Sequence, residues 1–306
     1  MTDAPQTDAT ATPDADPVAA LLAVLDLRDS SARTTEDIFT GVSQPMPLGR
    51  VYGGQVLAQS IVAAARTIPD GRVVHSMHGY FLRPGASSHG ITFSVDRIHD
   101  GRSFSTRRTQ AFQEGVPIFA MIASFQNEDQ GLEHQEPMPV GIPDPEDLPD
   151  AEDHLSGLHP MTKRFFADRP VDIRHVPSPI YVSVEGGNAP RQAVWMRARS
   201  PLPDDPAVHR AALAYLSDMT IQESILRAHG VAWTTPGLKV ASLDHAMWWH
   251  RPGRIDDWLL YVQESPSARG GRGLATGRIY SRDGMLLASV AQEIMVRVPT
   301  APADAP

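Results

Sequence analysis

The amino-acid sequence predicts an α+β protein made of two tandem copies of one unit, each a long helix wrapped by a curved antiparallel sheet. The first observation is an internal repeat: Arg-Pro-Gly at 83–85 recurs at 251–253, and each copy is followed by a Gly-Arg pair, at 101–102 and 271–272. The second observation is that both copies place a helical apolar stripe before a series of strand-like runs. A repeat of this long period indicates two supersecondary units that share a core.

The first unit begins with a short apolar helix at about 18–27 and a strand at about 34–44. A second helix is predicted at about 55–67, because Leu57 and Ile61 begin an apolar stripe at helical spacing. Strand-like runs follow, separated by Pro-Gly, Asp-Gly and Glu-Gly turn signals. They cover about 73–82, 91–99, 103–113 and 117–126.

The second unit repeats this order. A strand is predicted at about 192–198, and an Asp-Asp-Pro signal at 204–206 predicts the start of a helix at about 207–228, with Asp204 as its cap. Further strands are predicted at about 239–250, 258–265, 273–281 and 285–298. We expect the two sheets to join edge to edge into one continuous sheet, which protects their edge strands.

Changes in composition predict the boundaries of these units. Residues 1–16 are rich in Ala, Thr, Pro and Asp, without a basic residue, and predict a disordered tail. The first unit then occupies 17–130 and the second 171–299. Between them, 131–170 is a linker rich in proline and acidic residues, and 300–306 is a second tail.

Composition excludes several functional classes. The net charge of −9 argues against a nucleic-acid partner, although a local basic pocket for a small anion is compatible with it. The absence of cysteine excludes disulfides, thiolate catalysis and cysteine-ligated metals. The N-terminus lacks the basic start of a signal peptide, and the apolar run at 18–25 is far shorter than the roughly 20 residues that span a bilayer. We therefore expect a cytoplasmic protein with no membrane partner.

Polar residues within predicted core elements are candidates for chemistry. Asp218 lies inside the second predicted helix among apolar neighbours, where a carboxylate is costly unless it is paired. Strand alternation predicts that Ser242 and Asp244 share one face and that His245 lies on the other. Gln292, in the last strand, can donate and accept hydrogen bonds at once. Taken alone, each of these residues is also compatible with an ordinary structural role.

Other catalytic patterns are absent or weak. No Gly-x-Ser-x-Gly nucleophile elbow occurs in the sequence. His245 and His250 fall on opposite faces of a strand, so we expect no metal site there. The Gly-Arg-Gly at 271–273 leads into a strand rather than a helix, which disfavours a dinucleotide site.

Several segments together resemble the type II acyl-CoA thioesterases of bacteria and peroxisomes, the TesB-like family. They span about residues 30 to 298. The segments are Arg50-Val-Tyr-Gly-Gly-Gln55, Val74-His-Ser-Met-His-Gly-Tyr-Phe-Leu-Arg-Pro-Gly85, Asp100-Gly-Arg-Ser-Phe-Ser-Thr-Arg-Arg108, Leu213-Ala-Tyr-Leu-Ser-Asp218, Leu243-Asp-His-Ala-Met-Trp-Trp-His-Arg-Pro252 and Ala288-Ser-Val-Ala-Gln-Glu293. The resemblance implies a double hotdog fold and the hydrolysis of fatty acyl-CoA to free fatty acid and CoA, without a cofactor or a bound metal.

The resemblance also implies the catalytic residues. Members of this family hold a water molecule with an Asp, a Thr or Ser, and a Gln, which map onto Asp218, Ser242 and Gln292. Where bacterial members carry Thr this chain carries Ser, as peroxisomal members do, so the hydroxyl is kept. On this reading Asp218 accepts a proton from the water while Ser242 and Gln292 fix its position.

The substrate implies further contacts. Because CoA carries phosphates, we expect arginine side chains at the mouth of the groove, and the candidates are Arg272, Arg269 and Arg107. Gly54 is predicted to contact the substrate, and Trp248 is predicted to line an apolar tunnel for the acyl chain. A homo-oligomer, either a dimer or a tetramer, is expected because hotdog proteins bury their sheet edges by pairing.

Two alternative functions are kept. A hotdog enoyl-CoA hydratase uses an Asp and a His at a close spacing, which occurs here at 204–209 and again at 70–75. Two unrelated occurrences in one chain show that the spacing is unspecific. A non-catalytic acyl-CoA-binding module has the same fold requirements, but it has no need of an Asp, a Ser and a Gln together.

Overall fold

The computed structural model describes residues 16–31, 34–46, 49–69, 71–150 and 169–299. The predicted tails lie almost wholly outside these ranges, as does the segment 151–168 of the predicted linker. The domain boundaries therefore stay predictions.

The described residues form four helices and thirteen strands. The helices are α1 (Pro17–Leu25), α2 (Gly53–Ala65), α3 (Pro206–Ser217) and α4 (Glu223–Ala228), and a 3₁₀ turn covers Pro145–Asp147. The strands of the first half are β1 (Arg28–Asp29), β2 (Asp37–Gly41), β3 (Arg72–Phe81), β4 (Ile91–Asp100), β5 (Phe104–Gln113) and β6 (Val116–Asn127). Those of the second half are β7 (Val171–His175), β8 (Arg191–Ala198), β9 (Lys239–Ser242), β10 (Asp244–Trp249), β11 (Leu259–Arg269), β12 (Arg272–Ser281) and β13 (Leu286–Arg297).

All these strands belong to one sheet. Its order is β1-β2-β4-β5-β6-β3-β10-β13-β12-β11-β8-β7, with β9 also paired to β13. The two halves join where β3 pairs antiparallel with β10, with Met77 opposite Met247. The predicted α+β fold and the predicted continuous sheet are therefore confirmed.

The repeated Arg-Pro-Gly segments occupy equivalent positions in the two units. The backbone N–H of Arg83 donates to Ile118 O at 3.3 Å, and that of Arg251 donates to Leu287 O at 3.4 Å. The sequence repeat therefore corresponds to a structural repeat.

The central helices pack against each other under the sheet. α2 contacts α3 and also β3, β4, β5 and β6. Ala58, Ala63 and Ala64 on α2 are fully buried, and their small side chains allow this close packing. One apolar core extends through both units. No helix of the described ranges is long and apolar enough to span a membrane.

The predicted helix at 207–228 is wrong in its length. The chain leaves the helix at Asp218, which is the C-cap of α3, and re-enters a helix only at Glu223. Short turn bonds fill the gap, with Met219 N donating to Leu216 O at 3.0 Å and Glu223 N donating to Thr220 O at 2.9 Å. Asp218 therefore lies at a break between two helices and not within one.

The predicted strand at 239–250 is interrupted at Leu243, which separates β9 from β10. The interruption shifts the alternation of side chains by one residue. Ser242 and the buried His245 both point to the inner face, whereas Asp244 accepts a hydrogen bond from Glu293 N at 2.6 Å. The prediction that Ser242 and Asp244 share a face, with His245 on the other, is wrong for this reason.

Candidate active site

The end of α3 brings together three residues that lie far apart in the chain. Asp218 is 5% exposed. Its Oδ1 accepts hydrogen bonds from Gln292 Nε2 at 2.6 Å and from Ser242 Oγ at 3.2 Å. The three residues named from the sequence therefore form one hydrogen-bonded cluster on the inner face of the second unit.

The N-terminus of α2, from the first unit, completes this cluster. A Cβ atom on Gly53 would lie 2.6 Å from Asp218 Oδ2, and one on Gly54 would lie 2.4 Å from Tyr215 O. The backbone of Gly54 also hydrogen-bonds to the Asp218 carboxylate. Only glycine allows the backbone of α2 to come this close to α3. The predicted site residue Gly54 thus lies beside Asp218.

Burial controls the protonation of the carboxylate. Desolvation raises the pKa of Asp218 to about 6, while the hydrogen bonds from Gln292, Ser242 and Gly54 act in the opposite direction. Its place at the C-terminal, negative end of α3 also disfavours the ionised form. At pH 7 the group is still mainly a carboxylate, and its pKa is close enough to neutrality for a general base.

Gln292 retains an unused acceptor. Its side chain is fully buried, and its Nε2 is bound to Asp218. Its Oε1 is buried without a hydrogen-bond partner among the residues that the structure describes. Since buried polar atoms are nearly always paired, this oxygen is available to a small donor such as water.

Buried polar side chains of two strands hold the helix break. His245 Nε2 lies 2.9 Å from Ser217 Oγ, and Tyr261 Oη donates to Ser217 O at 3.0 Å. Gln263 Nε2 donates to Thr220 Oγ1 at 2.6 Å. Burial lowers the pKa of His245 to about 3, so its ring is neutral. This role is not predicted from the sequence, although His245 and Gln263 are polar residues in otherwise apolar strands.

Arg107 does not fit the predicted contact with CoA. Its side chain is fully buried in the first unit. Its guanidinium donates to Thr67 Oγ1 at 2.7 Å, to Asp100 Oδ1 at 2.8 Å and to His99 O at 3.1 Å. These internal contacts use its donors, so the prediction for Arg107 is corrected to a structural role.

Trp248 also lies away from the site. Its neighbours Met247 and Trp249 are buried on the inner face of β10, and alternation places Trp248 on the outer face. There its ring packs edge-on against His78, with 5.0 Å between ring centroids. The interruption of the strand at Leu243 explains the error, and the prediction that Trp248 lines an acyl tunnel is wrong.

Arg269 and Arg272 lie together. They are cross-strand partners at the tip of the β11–β12 hairpin. Both line a pocket of about 210 Å³ whose other walls are mainly apolar. Their predicted role in binding CoA is compatible with this position.

The hydratase spacing does not form a site. Asp204 is exposed and pairs with Arg254 at 2.6 Å. His209 is buried, and its Nδ1 accepts from Ile255 N at 3.2 Å. Asp205, not Asp204, caps α3 through a hydrogen bond from Ala207 N at 2.9 Å. The second occurrence, at 70–75, begins at a residue outside the described ranges.

Family models match most of the chain. A model described as "Acyl-CoA thioesterase" matches residues 160–295, and one described as "Acyl-CoA thioesterase N-terminal domain" matches residues 42–126. Acyl-CoA thioesterase 2 of Haemophilus influenzae is 38% identical over 269 residues, which are 85% of this chain and 92% of that protein. Acyl-coenzyme A thioesterase 8 of Homo sapiens is 38% identical over 277 residues, 86% of this chain and 85% of that protein.

Solved structures give the same picture. The crystal structure of acyl-CoA thioesterase II TesB2 from Mycobacterium marinum matches with a TM-score of 0.74 and 42% identity, covering 91% of this chain and 98% of that one. A hot dog fold protein of unknown function from Alicyclobacillus acidocaldarius matches with a TM-score of 0.74 at 18% identity, covering 92% of this chain and 99% of that one. The second match supports the fold alone.

Proposed function

This chain belongs to the acyl-CoA thioesterase family, and we propose that it hydrolyses fatty acyl-CoA to a free fatty acid and CoA. The observation that carries the proposal is the carboxylate of Asp218, whose pKa burial raises to about 6 while Ser242 and Gln292 hold it in place by hydrogen bonds. A thioester is an activated acyl group, so an oriented water molecule and one base are sufficient for the chemistry.

Asp218 is the general base. It accepts a proton from a water molecule as the water oxygen adds to the thioester carbonyl carbon. The bond from carbon to sulfur then breaks, and the proton on Asp218 passes to the sulfur of the departing CoA, which regenerates the carboxylate. Proton transfer by a positioned base typically contributes about 10²–10⁴-fold to the rate. The reaction balances without a cofactor.

Ser242 and Gln292 orient this base and its water. Both donate to Oδ1 of Asp218, which leaves Oδ2, on the side of Gly53, as the acceptor for the proton. The free Oε1 of Gln292 can accept the second proton of the same water in a hydrogen bond. Fixing the water in this way supplies the orientation that the reaction requires.

The first amide of α2 is the proposed donor to the oxyanion. Gly53 begins the helix, and its N–H group has no carbonyl partner within it. It lies beside Asp218, at the positive end of the helix dipole, while the next amide, of Gly54, holds the Asp218 carboxylate. Removing one oxyanion donor typically costs about 10²–10³-fold in kcat, so this amide is a major part of the proposed site.

Replacement of Asp218 tests the function. We expect Asp218→Asn to lower kcat for release of free thiol from an acyl-CoA by about 10²–10⁴-fold. The variant should stay folded by circular dichroism, because it removes a buried charge. Asp204→Asn, which changes an exposed carboxylate near the start of α3, is the matched control and should keep parental activity. Full activity in Asp218→Asn would contradict the proposed mechanism.

The same experiments separate the alternative functions. A hydratase would consume an enoyl-CoA without thiol release and would depend on Asp204 in the Asp204→Asn control. A binding module would bind acyl-CoA, and neither the parent protein nor the Asp218→Asn variant would release thiol. Thiol release that is lost in Asp218→Asn and kept in Asp204→Asn favours the thioesterase.

We also infer a homo-oligomer, a dimer or a tetramer, and a cytoplasmic location, as the sequence analysis predicts. The oligomer is supported by apolar side chains on the outer face of the central strands, where Tyr80 is 62% and Ile122 is 51% exposed. Light scattering on the purified protein measures the oligomeric state, and a monomer at micromolar concentration would overturn that inference.

A further inference from the structure

The C-terminal end of α3 is capped largely by side chains. An α-helix leaves the carbonyl oxygens of its last four residues without partners inside the helix. In α3 these are residues 214–217, and Leu216 O accepts from Met219 N at 3.0 Å. The other three carbonyls accept from side-chain hydroxyls, by hydrogen bonds from Ser217 Oγ to Ala214 O at 2.9 Å, from Tyr52 Oη to Tyr215 O at 2.8 Å and from Tyr261 Oη to Ser217 O at 3.0 Å.

The two tyrosines of this cap come from different units. Tyr52 is the N-cap residue of α2 in the first unit, and its ring packs edge-on against Tyr215 with 4.8 Å between ring centroids. Tyr261 lies on β11 in the second unit and is 1% exposed. The end of α3 is therefore held from both units, and we refer to Tyr52 and Tyr261 as the tyrosine clamp.

Glycines make room for both rings of the tyrosine clamp. A Cβ atom on Gly277, in the neighbouring strand β12, would overlap the ring of Tyr261. A Cβ atom on Gly54 would overlap the ring of Tyr52. Because each ring lies directly against backbone that has no side chain, the position of each hydroxyl is fixed by close packing.

The end of α2 shows the contrast. There Arg66, Thr67 and Ile68 donate through their own N–H groups to carbonyl oxygens of the last turns, each at 3.1 Å. The hydroxyl of Thr67 donates to one of the same carbonyls, Ala64 O, at 2.8 Å. All these donors directly follow the helix in the chain. Distant side chains are thus not required to end a central helix in this fold, and their presence at α3 indicates a further role.

The capped carbonyls adjoin the proposed general base. Asp218 directly follows Ser217, so a movement of the peptide group that Tyr261 binds also moves the carboxylate. Each tyrosine hydroxyl also directs a partly positive hydrogen at the negative end of α3, which offsets part of the dipole that opposes ionisation of Asp218. Tyr52 in turn directly precedes Gly53, whose N–H is the proposed donor to the oxyanion.

The tyrosine clamp stays protonated where Asp218 titrates. Burial, and next the charge of Asp218, raise the pKa of both Tyr52 and Tyr261 well above the ordinary value of 10. The other titratable or charged groups near this helix end are Tyr215, His245 and Arg169. Burial raises the pKa of this tyrosine and lowers that of the histidine to about 3, while arginine stays a cation. Asp218 is therefore the group among them whose charge changes near pH 6.

We propose that Tyr52 and Tyr261 are positioning residues for hydrolysis, whose hydroxyls fix the end of α3 and so align Asp218 with the N–H of Gly53. The inference rests on the proposed function, because this alignment matters only for a reaction at Asp218. The tyrosine clamp then determines the relative position of the base and the oxyanion donor, which come from different units.

Removal of each hydroxyl tests the tyrosine clamp. Tyr52→Phe and Tyr261→Phe keep the rings. We expect each to lower kcat for acyl-CoA about tenfold with KM unchanged, because a carbonyl of α3 loses its donor and neither hydroxyl contacts the substrate. In both variants the pKa in the profile of kcat/KM against pH should rise by about half a pH unit, since the negative end of α3 is less offset.

A control and a measurement without turnover accompany the kinetics. Tyr280→Phe removes a hydroxyl from a ring that is buried in the separate apolar cluster of β12, and it should keep parental values. The NMR chemical shift of the Asp218 carboxyl carbon, assigned by comparison with Asp218→Asn, should show the same rise in pKa in both clamp variants. Circular dichroism establishes that each variant is folded.

The outcomes are distinguishable. Parental kcat in both folded variants, or a decrease no larger than in Tyr280→Phe, would overturn the tyrosine clamp while the thioesterase stands. A decrease of kcat with an unchanged pKa would reduce the tyrosines to a structural role, and a rise of KM alone would make them substrate contacts; either result overturns the proposal. Absence of hydrolysis by the parent protein would instead remove the proposed function, and the NMR titration would still decide whether the hydroxyls act on Asp218.

Discussion

The two units share one strand framework, but they bury different side chains on it. In the first unit Val74 is the partner of Phe125 on the inner face, and in the second unit Ser242 holds the same position opposite Ile294. Replacing a valine by a serine at this position provides a donor to Asp218 at 3.2 Å. A single change of side chain thus provides one contact of the site without altering the backbone pairing.

A second pair of matching positions on the inner face carries its polar residue on different strands in the two units. In the first unit Arg107 lies opposite Ala123, whereas in the second Ala275 lies opposite Gln292. Arg107 uses its donors on its own unit, including Asp100 at 2.8 Å. Gln292 uses one donor on Asp218 and keeps a free acceptor. In the first unit the donors of Arg107 are bound within the unit, which we call the closed network. In the second unit the acceptor Oε1 of Gln292 stays unbound among the described residues.

The helix ends differ in charge. Arg66 is the C-cap of α2, where a cation favours the helix dipole, whereas Asp218 is the C-cap of α3, where a carboxylate opposes it. The rise of the Asp218 pKa from its ordinary value of 3.8 to about 6 corresponds to a cost on the order of 3 kcal/mol for keeping the group ionised. Helix stability therefore does not explain a carboxylate at this position.

Among the three substitutions that test this comparison, removal of Arg107 from the closed network should have the largest effect. That effect should be on the stability of the fold. Arg107→Met keeps apolar volume but removes every hydrogen bond of the guanidinium, including those to the carbonyl oxygens of His99 and Thr67. Because several hydrogen bonds from a charged group are lost together, we expect the free energy of unfolding in urea to fall by about 3 kcal/mol. Because Arg107 lies outside the proposed site, kcat/KM for acyl-CoA should be unchanged, and a parallel loss of activity in the folded variant would break the comparison.

Gln292→Ala places the residue of the first unit in the second. It removes a hydrogen bond to a charged group, worth about 1.5–3 kcal/mol, so we expect kcat to fall roughly 10- to 100-fold. The unfolding free energy should change less than in Arg107→Met. Gln110→Ala, on the outer face of β5, is the matched control, and an effect of equal size there would show that the loss is not specific to the site.

Ser242→Val likewise places the residue of the first unit, Val74, in the second unit, and it removes the other hydrogen-bond donor to Asp218. Its effect should be the smallest of the three. The hydrogen bond is longer, at 3.2 Å, and we expect kcat/KM to fall about tenfold. Ser242→Thr keeps the hydroxyl and should retain most of the parental value. If valine and threonine gave the same result, the hydroxyl of Ser242 would have no part in the reaction.

The sequence was sufficient to predict the framework. The Arg-Pro-Gly repeat and the turn signals predict the positions of β3 to β6 and of most later strands, because alternation and turn chemistry are local properties. The set of Asp218, Ser242 and Gln292 could be named from the family resemblance, since Asp218 and Gln292 lie in matching segments and Ser242 directly precedes another. Their meeting at one point was an expectation from that resemblance and not from spacing.

Features that depend on tertiary contacts could not be predicted. The break at Asp218 contains neither proline nor glycine, and His245, Tyr261 and Gln263 hold it from other strands. Because the strand is interrupted at Leu243, each residue after it faces the side of the sheet opposite to the one that simple alternation predicts. This explains why Trp248 was wrongly predicted to line an acyl tunnel. Arginine is rarely buried, so the residues around position 107 do not predict that the side chain of Arg107 is buried or what it contacts.

The pH dependence of kcat/KM for acyl-CoA tests the central claim most directly, because it reports the ionisation of the general base in the free enzyme. Since Asp218 must be ionised, activity should be constant above about pH 7 and should fall through a pKa of about 6, approaching tenfold per pH unit below it. Circular dichroism at each pH establishes that the protein stays folded. A constant kcat/KM from pH 7 to pH 5 would contradict the assignment of this buried carboxylate as the base.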